Sequence, residues 1–456
     1  MKNIISKLKP TQALMAGFAV LILIGSFLLD LPIASRNGQS VGFVNALFTA
    51  TSAVCVTGLS VVNTLEHWTV FGKMIIIILI QIGGLGFMTL TAILFIMIGK
   101  KIGLRERLLI QESLNQTTIS GLVRLTKKIV LATLVVEAFG AIVLSFSFVP
   151  RYGVVRGIAY GLFHAISAFC NAGFDLIGDS SLAPFLGHPL INLILMFLIV
   201  AGSLGFGVWF DAIDVSKQVI KRRKSKRHWF QHLQLHSKLV LVITGFLLIA
   251  GFLSILILER NNPDTMLNMT WQERIWGAMF QSVTLRTAGF YSIDFAKMTQ
   301  GSQFISILLM FIGGSPAGTA GGIKTVTAGI LFLQVWATIR GKEEVEIYDR
   351  VIPDKAVKRA LSVIMIALFV VMSVTMVLAV TEKMDFMKIA FESVSAFATV
   401  GLSLGVTPDL STIGKLIIAV TMFIGRLGPV TIALAMAMRR EKNSKIKKPT
   451  GKLMVG

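Results

Sequence analysis

Four short stretches decide the fold: Phe48-Thr-Ala-Thr-Ser-Ala-Val-Cys-Val-Thr-Gly58, Phe163-His-Ala-Ile-Ser-Ala-Phe-Cys-Asn-Ala-Gly173, Phe280-Gln-Ser-Val-Thr-Leu-Arg-Thr-Ala-Gly289 and Phe391-Glu-Ser-Val-Ser-Ala-Phe-Ala-Thr-Val-Gly401. Each is an apolar run that closes on small residues and a glycine. The Phe-to-Gly spacing is 10, 10, 9 and 10, and the Gly-to-Gly steps are 115, 116 and 112 residues. Four equal parts of this 456-residue chain would each take 114. Self-similarity at a fixed period marks an internal repeat.

A second echo follows each glycine. The next apolar run carries Ile82-Gly83-Gly84-Leu85-Gly86-Phe87, then Ala201-Gly202-Ser203-Leu204-Gly205-Phe206, then Ile312-Gly313-Gly314-Ser315, then Ile424-Gly425-Arg426-Leu427-Gly428. Every unit therefore reads as helix, short re-entrant helix, glycine turn, helix. The short run of about 12 residues cannot cross a bilayer core of ~30 Å. Its irregular tail must then be buried in protein or line water.

Composition agrees with a membrane setting. Apolar residues make up 54% of the chain and charged residues 15%, against about 25% charged in ordinary soluble proteins. Lys and Arg number 44 against 23 Asp and Glu, a net charge of +21. Position explains that excess. The stretches 1–9, 99–128, 214–238, 339–359 and 439–456 together carry +22, and the remainder carries −1. Between them lie four units, 10–98, 129–213, 239–338 and 360–438, each with two long apolar runs. If both runs span, the chain returns to one side each time, and the positive-inside rule makes that side cytoplasmic. The expectation is a multi-pass plasma-membrane protein with both termini in the cytoplasm. The run from Leu14 to Leu31 is then a first span rather than a cleaved leader, since Pro32 and a polar turn follow it without a small-residue cleavage signature. The basic run Lys221–Arg227 reads as a solvated loop near anionic lipid or a partner protein, and nucleic acid is not an expected partner. Two cysteines exclude a disulfide scaffold.

The expected fold class is an all-α integral membrane protein. Eight transmembrane helices and four re-entrant pore loops surround one pseudo-fourfold ion pore. Four turns around an axis would aim carbonyl oxygens inward, and such rings replace the hydration shell of an alkali cation. The turn backbone is supplied by Val56-Thr57-Gly58, Asn171-Ala172-Gly173, Thr287-Ala288-Gly289 and Thr399-Val400-Gly401. Glycine permits backbone geometry closed to other residues and leaves no side chain in a narrow path. Each short helix would also point its negative C-terminal pole at the centre. Taken singly, each glycine has a second reading as an ordinary helix C-cap. Cys55 and Cys170, three residues before their glycines, read as small packed thiols.

Unit three has one further peculiarity. Gly313-Gly314-Ser315-Pro316-Ala317-Gly318-Thr319-Ala320-Gly321-Gly322 interrupts an apolar run. At about 1 kcal/mol per glycine and about 3 per proline, this decapeptide should unwind. Below the filter such a loop would obstruct conduction. A phosphate-binding loop is the rival, but Ile323 separates Gly322 from Lys324 and breaks that motif. A merely kinked helix is a third reading. Arg426 is a charge in an apolar run, costly there and usually functional. It is expected to oppose cation passage and to bond the carbonyls of 315–320. Lys324 is a second gate candidate, with a snorkelling lysine as the alternative.

These strings resemble the Trk/Ktr/HKT superfamily of potassium transporters, and most closely its KtrB-type membrane subunit. The resemblance covers essentially the whole chain and is carried by Gln81-Ile-Gly-Gly-Leu-Gly-Phe-Met, Phe163-His-Ala-Ile-Ser-Ala-Phe, Arg286-Thr-Ala-Gly-Phe and Met422-Phe-Ile-Gly-Arg-Leu-Gly-Pro. It implies a K+ pore with Gly58, Gly173, Gly289 and Gly401 as filter glycines. It also implies an intramembrane gate loop touched by an arginine, a homodimer, and a cytosolic ring of nucleotide-binding regulatory subunits. Nucleotide is then expected on the partner alone, with no covalent cofactor on this chain. Some plant relatives with Ser at the first filter position favour sodium, so glycine at all four supports potassium. The short filter leaves room for Na+ as a second permeant or activating ion.

Weaker candidates remain. Asp175, Asp179, Asp294 and Asp409 follow the turns and would draw cations to the mouth or simply be solvated. Glu392 lies in the fourth short re-entrant helix and Glu137 in an apolar run, and either serves packing or pairing. His228, His232 and His236 lack acidic or thiol companions for a metal. Arg286 is a positioning residue. All four units run in the same orientation, which argues against a transporter of inverted halves. No nucleophile motif or metal spacing suggests an enzyme.

Overall fold

The structure, a computed structural model, describes residues 10–86, 108, 111, 121–178, 180–221, 228–428 and 431. The readings placed on 1–9, on nearly all of 99–120, on 222–227 and 439–456, and on Phe87 and Asp179 lie outside them.

Among the described residues four helices are long and apolar enough to cross a bilayer, or five if a bent pair is one span. They open the four units: α1 (Pro10–Asp30), α4 (Leu122–Tyr152), α8 (Leu235–Glu259) and α12 (Asp354–Thr381). They are apolar nearly all round. Leu131, Val135, Phe139 and Phe146 of α4, and Met365, Phe369, Met372 and Val380 of α12, stand exposed. Such faces suit acyl chains and not water. The units also contain short helices α2 (Phe43–Val54), α5 (Val154–Phe169), α9 (Trp271–Thr284) and α13 (Phe386–Ala398), of 12, 16, 14 and 13 residues. Their C-terminal halves are largely buried, and Phe48–Val54 and Phe391–Ala398 are buried on every side. That places them at the centre of the molecule.

The second helix of each unit departs from the expected unbroken span. α3 (Val70–Leu85), α6 (Pro189–Leu204), α10 (Gln300–Phe311) and α14 (Thr412–Leu427) are only 12 to 16 residues long. Sequence predicted a break in unit three alone, yet α3, α6 and α14 all stop at the last glycine of the second echo. Gly86, Gly205 and Gly428 have φ of 82°, 87° and 88° and ψ of 129°, 138° and 134°. Residues with a Cβ avoid that region. After Gly205 the chain resumes as α7 (Phe206–Ile220), turned by 101°. In unit three the irregular segment runs from Ile312 to Lys324 before α11 (Thr325–Ile339).

Two further differences concern the linkers. α4, α7, α8 and α12 reach into the basic stretches 99–128, 214–238 and 339–359, because charged residues sit comfortably on helix ends that leave the apolar layer. The all-α expectation also fails at one small point. Glu346–Ile347 and Arg350–Val351 form an antiparallel pair, Glu346 opposite Val351.

The units close a ring. α3 packs on α5 of unit two, α6 on α9 of unit three, α10 on α13 of unit four, and α14 on α2 of unit one. The last of these brings Lys415 Nζ to Asn45 Oδ1 at 3.3 Å. Each of the three large apolar cores crosses a unit boundary. The ring is thus held by burial between units as much as within them.

Candidate functional site

Each short helix ends in a left-handed residue that is not glycine. Val56, Asn171 and Thr399 have φ of 57°, 58° and 51°. Their N–H groups donate to Ala53, Ala168 and Ala396 at 3.2, 3.1 and 3.2 Å. The next N–H groups, of Thr57, Ala172 and Val400, reach back to Ser52, Ser167 and Ser395 at 2.8, 2.7 and 2.8 Å. This pair of bonds is the Schellman closure, which normally recruits glycine at the left-handed position. In unit three Thr287 takes that conformation with φ of 64°, and Ala288 N–H reaches only to Thr284 O, at 2.9 Å. The one-residue-shorter spacing of that unit is absorbed there. Left-handed backbone at a β-branched residue is a real outlier. It costs about 1–3 kcal/mol and clusters at functional sites. The four glycines lie two residues beyond this closure, so they are not the caps that a single-glycine reading suggested.

Gly58, Gly173, Gly289 and Gly401 have φ of 98°, 71°, 83° and 90°. A Cβ built on Gly58 would lie 2.6 Å from Ala172 O, and one on Gly173 would lie 2.9 Å from Ala288 O. On Gly289 it would lie 2.8 Å from Val400 O, and on Gly401 it would lie 2.0 Å from Thr57 O. Each glycine thus faces the carbonyl that precedes the next glycine, and the fourth returns to the first. The backbone is braced from behind. Gly58 and Gly401 N–H groups donate to Ser52 Oγ and Ser395 Oγ at 3.0 and 3.1 Å, and Ser167 Oγ donates to Phe174 O at 2.7 Å. Thr57, Thr287 and Thr399 keep buried hydroxyls without a protein partner.

One cavity of about 350 Å³ is lined by all four glycines together with Asp175 and Asp294. Both acids also cap turns: Asp175 Oδ1 accepts from Ile177 N at 3.0 Å, and Asp294 Oδ1 from Ala296 N at 3.0 Å. Asp409 lines a different hollow, beside Glu382 and Asp385.

On the other side of the ring sits the irregular loop. Thr319 Oγ1 donates to Phe169 O at 3.0 Å and to Asn171 Oδ1 at 2.9 Å, and Gly321 lies against Thr399. The breaks in the second helices supply its seat. α6 stops at Gly205, which leaves carbonyls free. Ser203 O accepts from Ser315 N at 2.8 Å and Gly202 O from Thr319 N at 3.0 Å, while Phe206 N donates to Ala317 O at 3.1 Å. Arg426 bridges the loop to the end of α3, donating to Thr319 O, to Gly83 O and, at 3.2 Å, to Gly84 O. Lys324 Nζ donates to Ala320 O at 2.7 Å. Gly313, Gly318 and Gly322 complete the close packing, where an added Cβ would meet backbone, Gly314 lies against Ala320, and Pro316 O lies against Gly205.

The remaining candidates fall elsewhere. Cys55 and Cys170 are free and buried. Gln81 Nε2 donates to both oxygens of Glu137, at 3.2 and 3.1 Å, with Cys170 Sγ 3.7 Å from Oε1. Glu392 accepts from Thr407 Oγ1 at 2.5 Å. Arg286 Nη1 donates to Ile312 O at 3.2 Å, where the loop begins. His232 and His236 line a separate hollow with Tyr348. Among the described residues no group of three His, Cys, Asp or Glu is placed to hold a metal. Sequence reasoning missed the carbonyls of Gly202 and Ser203 as partners of the loop, and those of Gly83 and Gly84 as partners of Arg426. The recurring final glycine of the second echo was the available signal.

Comparison with known proteins agrees with this fold. A family profile described as "TrkH: Cation transport protein" matches residues 8–446. The potassium/sodium uptake protein NtpJ of Enterococcus hirae is 44% identical, over 100% of this chain and 99% of its own length. The Ktr system potassium uptake protein B of Bacillus subtilis is 44% identical, over 98% and 97%. The crystal structure of the potassium transporter TrkH from Vibrio parahaemolyticus superposes with a TM-score of 0.72 at 19% identity, covering 94% of this chain and 84% of that one, a likeness of fold. With nearly its whole length matched, the chain belongs to the TrkH family of cation transport proteins.

Proposed function

We propose that this chain is the ion-conducting membrane subunit of a potassium uptake system. K+ passes the ring of Gly58, Gly173, Gly289 and Gly401, with Na+ as a lesser permeant ion. One observation carries the reading: the cyclic order in which each glycine faces the next unit's carbonyl. Closely set carbonyls are the chemistry that replaces the hydration shell of an alkali cation. The eight spans of this reading are completed by the second helix of each unit, and in units two and three that helix crosses as two pieces, α6–α7 and α10–α11.

Gating follows from the seat of the loop. With residues 313–322 packed under the ring, the way through is closed. Arg426 places positive charge at the same level, and Lys324 adds to it. Opening requires the loop to leave the carbonyls of Gly202 and Ser203. Relatives named as parts of a Ktr system support a multi-component assembly. The proposed assembly is a homodimer of this chain on a cytosolic nucleotide-binding ring. Growth of an uptake-deficient bacterial strain on low potassium tests the reading, with and without that subunit co-expressed. Rescue is the expected result, and failure in both conditions overturns it.

A further inference from the structure

Below the loop lies a second cavity, of about 320 Å³, between units three and four. Its walls include Lys324 at the loop's exit, Arg426 at the end of α14 and Arg359 on the first turns of α12. Among the described residues no Asp or Glu lines it. Ile330, Val363 and Phe397 provide an apolar wall beside the three cations. Lys324 and Arg426 each bond loop carbonyls, so the cavity touches the loop through both. Arg359 is exposed at the other end, on the side of the basic stretch 339–359. Three like charges in a partly enclosed, partly apolar space repel one another and call for a counter-ion. Basic pockets between membrane helices on the cytoplasmic side suit phosphate headgroups.

We propose that this cavity binds a phosphate group, held by Arg359, Lys324 and Arg426, and that its occupancy favours opening. A phosphate anion neutralises charge that otherwise opposes a cation below the ring. It also competes with Thr319 O for the Arg426 guanidinium, which forms strong charge-assisted bonds with phosphate. The source of the phosphate is an anionic phospholipid headgroup or free phosphate. The coupling to flux rests on the gate reading given above. The binding does not.

The test uses the full-length chain in vesicles of phosphatidylcholine, with or without phosphatidylglycerol. Potassium flux in mixed vesicles is divided by flux in pure phosphatidylcholine for each protein. That ratio is expected to be roughly fivefold in the wild type, to fall to about one in Arg359→Gln, and to be kept in Arg359→Lys. Phosphatidylglycerol retained by purified protein, counted by native mass spectrometry, should fall in Arg359→Gln. Melting temperatures confirm that the variants fold. Inorganic phosphate inside pure phosphatidylcholine vesicles is the second arm. An Arg359-dependent rise there assigns the site to free phosphate. If lipid retention differs while Arg426→Ala leaves flux unchanged, the site stands and the gate reading fails. Retention and flux ratios that are the same in wild type and Arg359→Gln, in both the lipid arm and the phosphate arm, overturn the proposal.

Discussion

At Gly401 a single methyl group would reach within 2.0 Å of Thr57 O, closer than any real contact allows. The backbone there has φ of 90°, so alanine would be strained even with space around it. Gly401→Ala should lower potassium uptake at least about tenfold, because neither carbonyl nor methyl can give way without opening the ring. The control is Gly245→Ala, on α8 with nothing within 4 Å of its added carbon. It should leave uptake unchanged and stabilise that helix by up to about 1 kcal/mol. Equal uptake by the two variants would remove the ring from the conduction path. Arg426→Ala should raise resting flux severalfold in vesicles, since it removes both a charge and three bonds to backbone carbonyls. Unchanged flux sinks the gating role. Arg426 itself was legible in the sequence, as a charge in an apolar run. Its partners were not, because Gly83 and Gly84 precede it by more than 340 residues and a carbonyl leaves no mark on a sequence. The left-handed Val56 and Thr399 were equally hidden, since valine and threonine are the residues least expected in that conformation. Both cysteines are fully buried. A membrane-impermeant maleimide applied outside should therefore leave uptake intact.

Among the elements, the second helices were the least legible. Their hydropathy does not change across Gly86, Gly205 or Gly428, and an isolated glycine is tolerated in a helix for about 1 kcal/mol. What turns the glycine into a break is tertiary: carbonyls at the helix end are wanted by the loop and by Arg426. The decapeptide of unit three was legible because glycines and proline accumulate there. The break at Gly205 makes its own prediction. A Cβ at this position would lie 2.3 Å from Pro316 O, with φ at 87°. Gly205→Ala should push the loop from its seat and raise resting flux, while Gly207→Ala, two residues on with nothing within 4 Å, should not. Flux and melting temperature measured together separate displacement from unfolding. A Gly205→Ala protein with wild-type flux and wild-type melting would show that the loop does not depend on that seat.

Over the whole molecule, the number of units was readable at once, and the charge pattern carries an expectation about sidedness. Both are carried by spacing and composition, which survive any detail of packing. The order of neighbours around the ring was not, because the packing of α14 on α2 joins the two ends of the chain through apolar side chains that any partner could have buried. Sidedness can be measured directly. In a cysteine-free background, a cysteine in place of Ser60 at the cavity above the ring should react with an impermeant thiol probe from outside. One in place of His228, exposed directly after the basic run, should react only in inverted vesicles. Reaction of both from one face would invalidate the assigned topology.

The ring that closes from Gly401 onto Thr57 is one polypeptide. Its stoichiometry is settled on the ribosome, and no wrong number of quarters can ever assemble. A ring of four identical chains must repeat every mutation four times. Here a change falls on one quarter and spares the others. Unit three has lost a residue before its glycine and gained a loop, and unit four has set an arginine where units one and two keep Gly84 and Ser203. With one chain supplying all four quarters, the loop of unit three and the arginine of unit four meet once, and neither has to fit four times into the same ring.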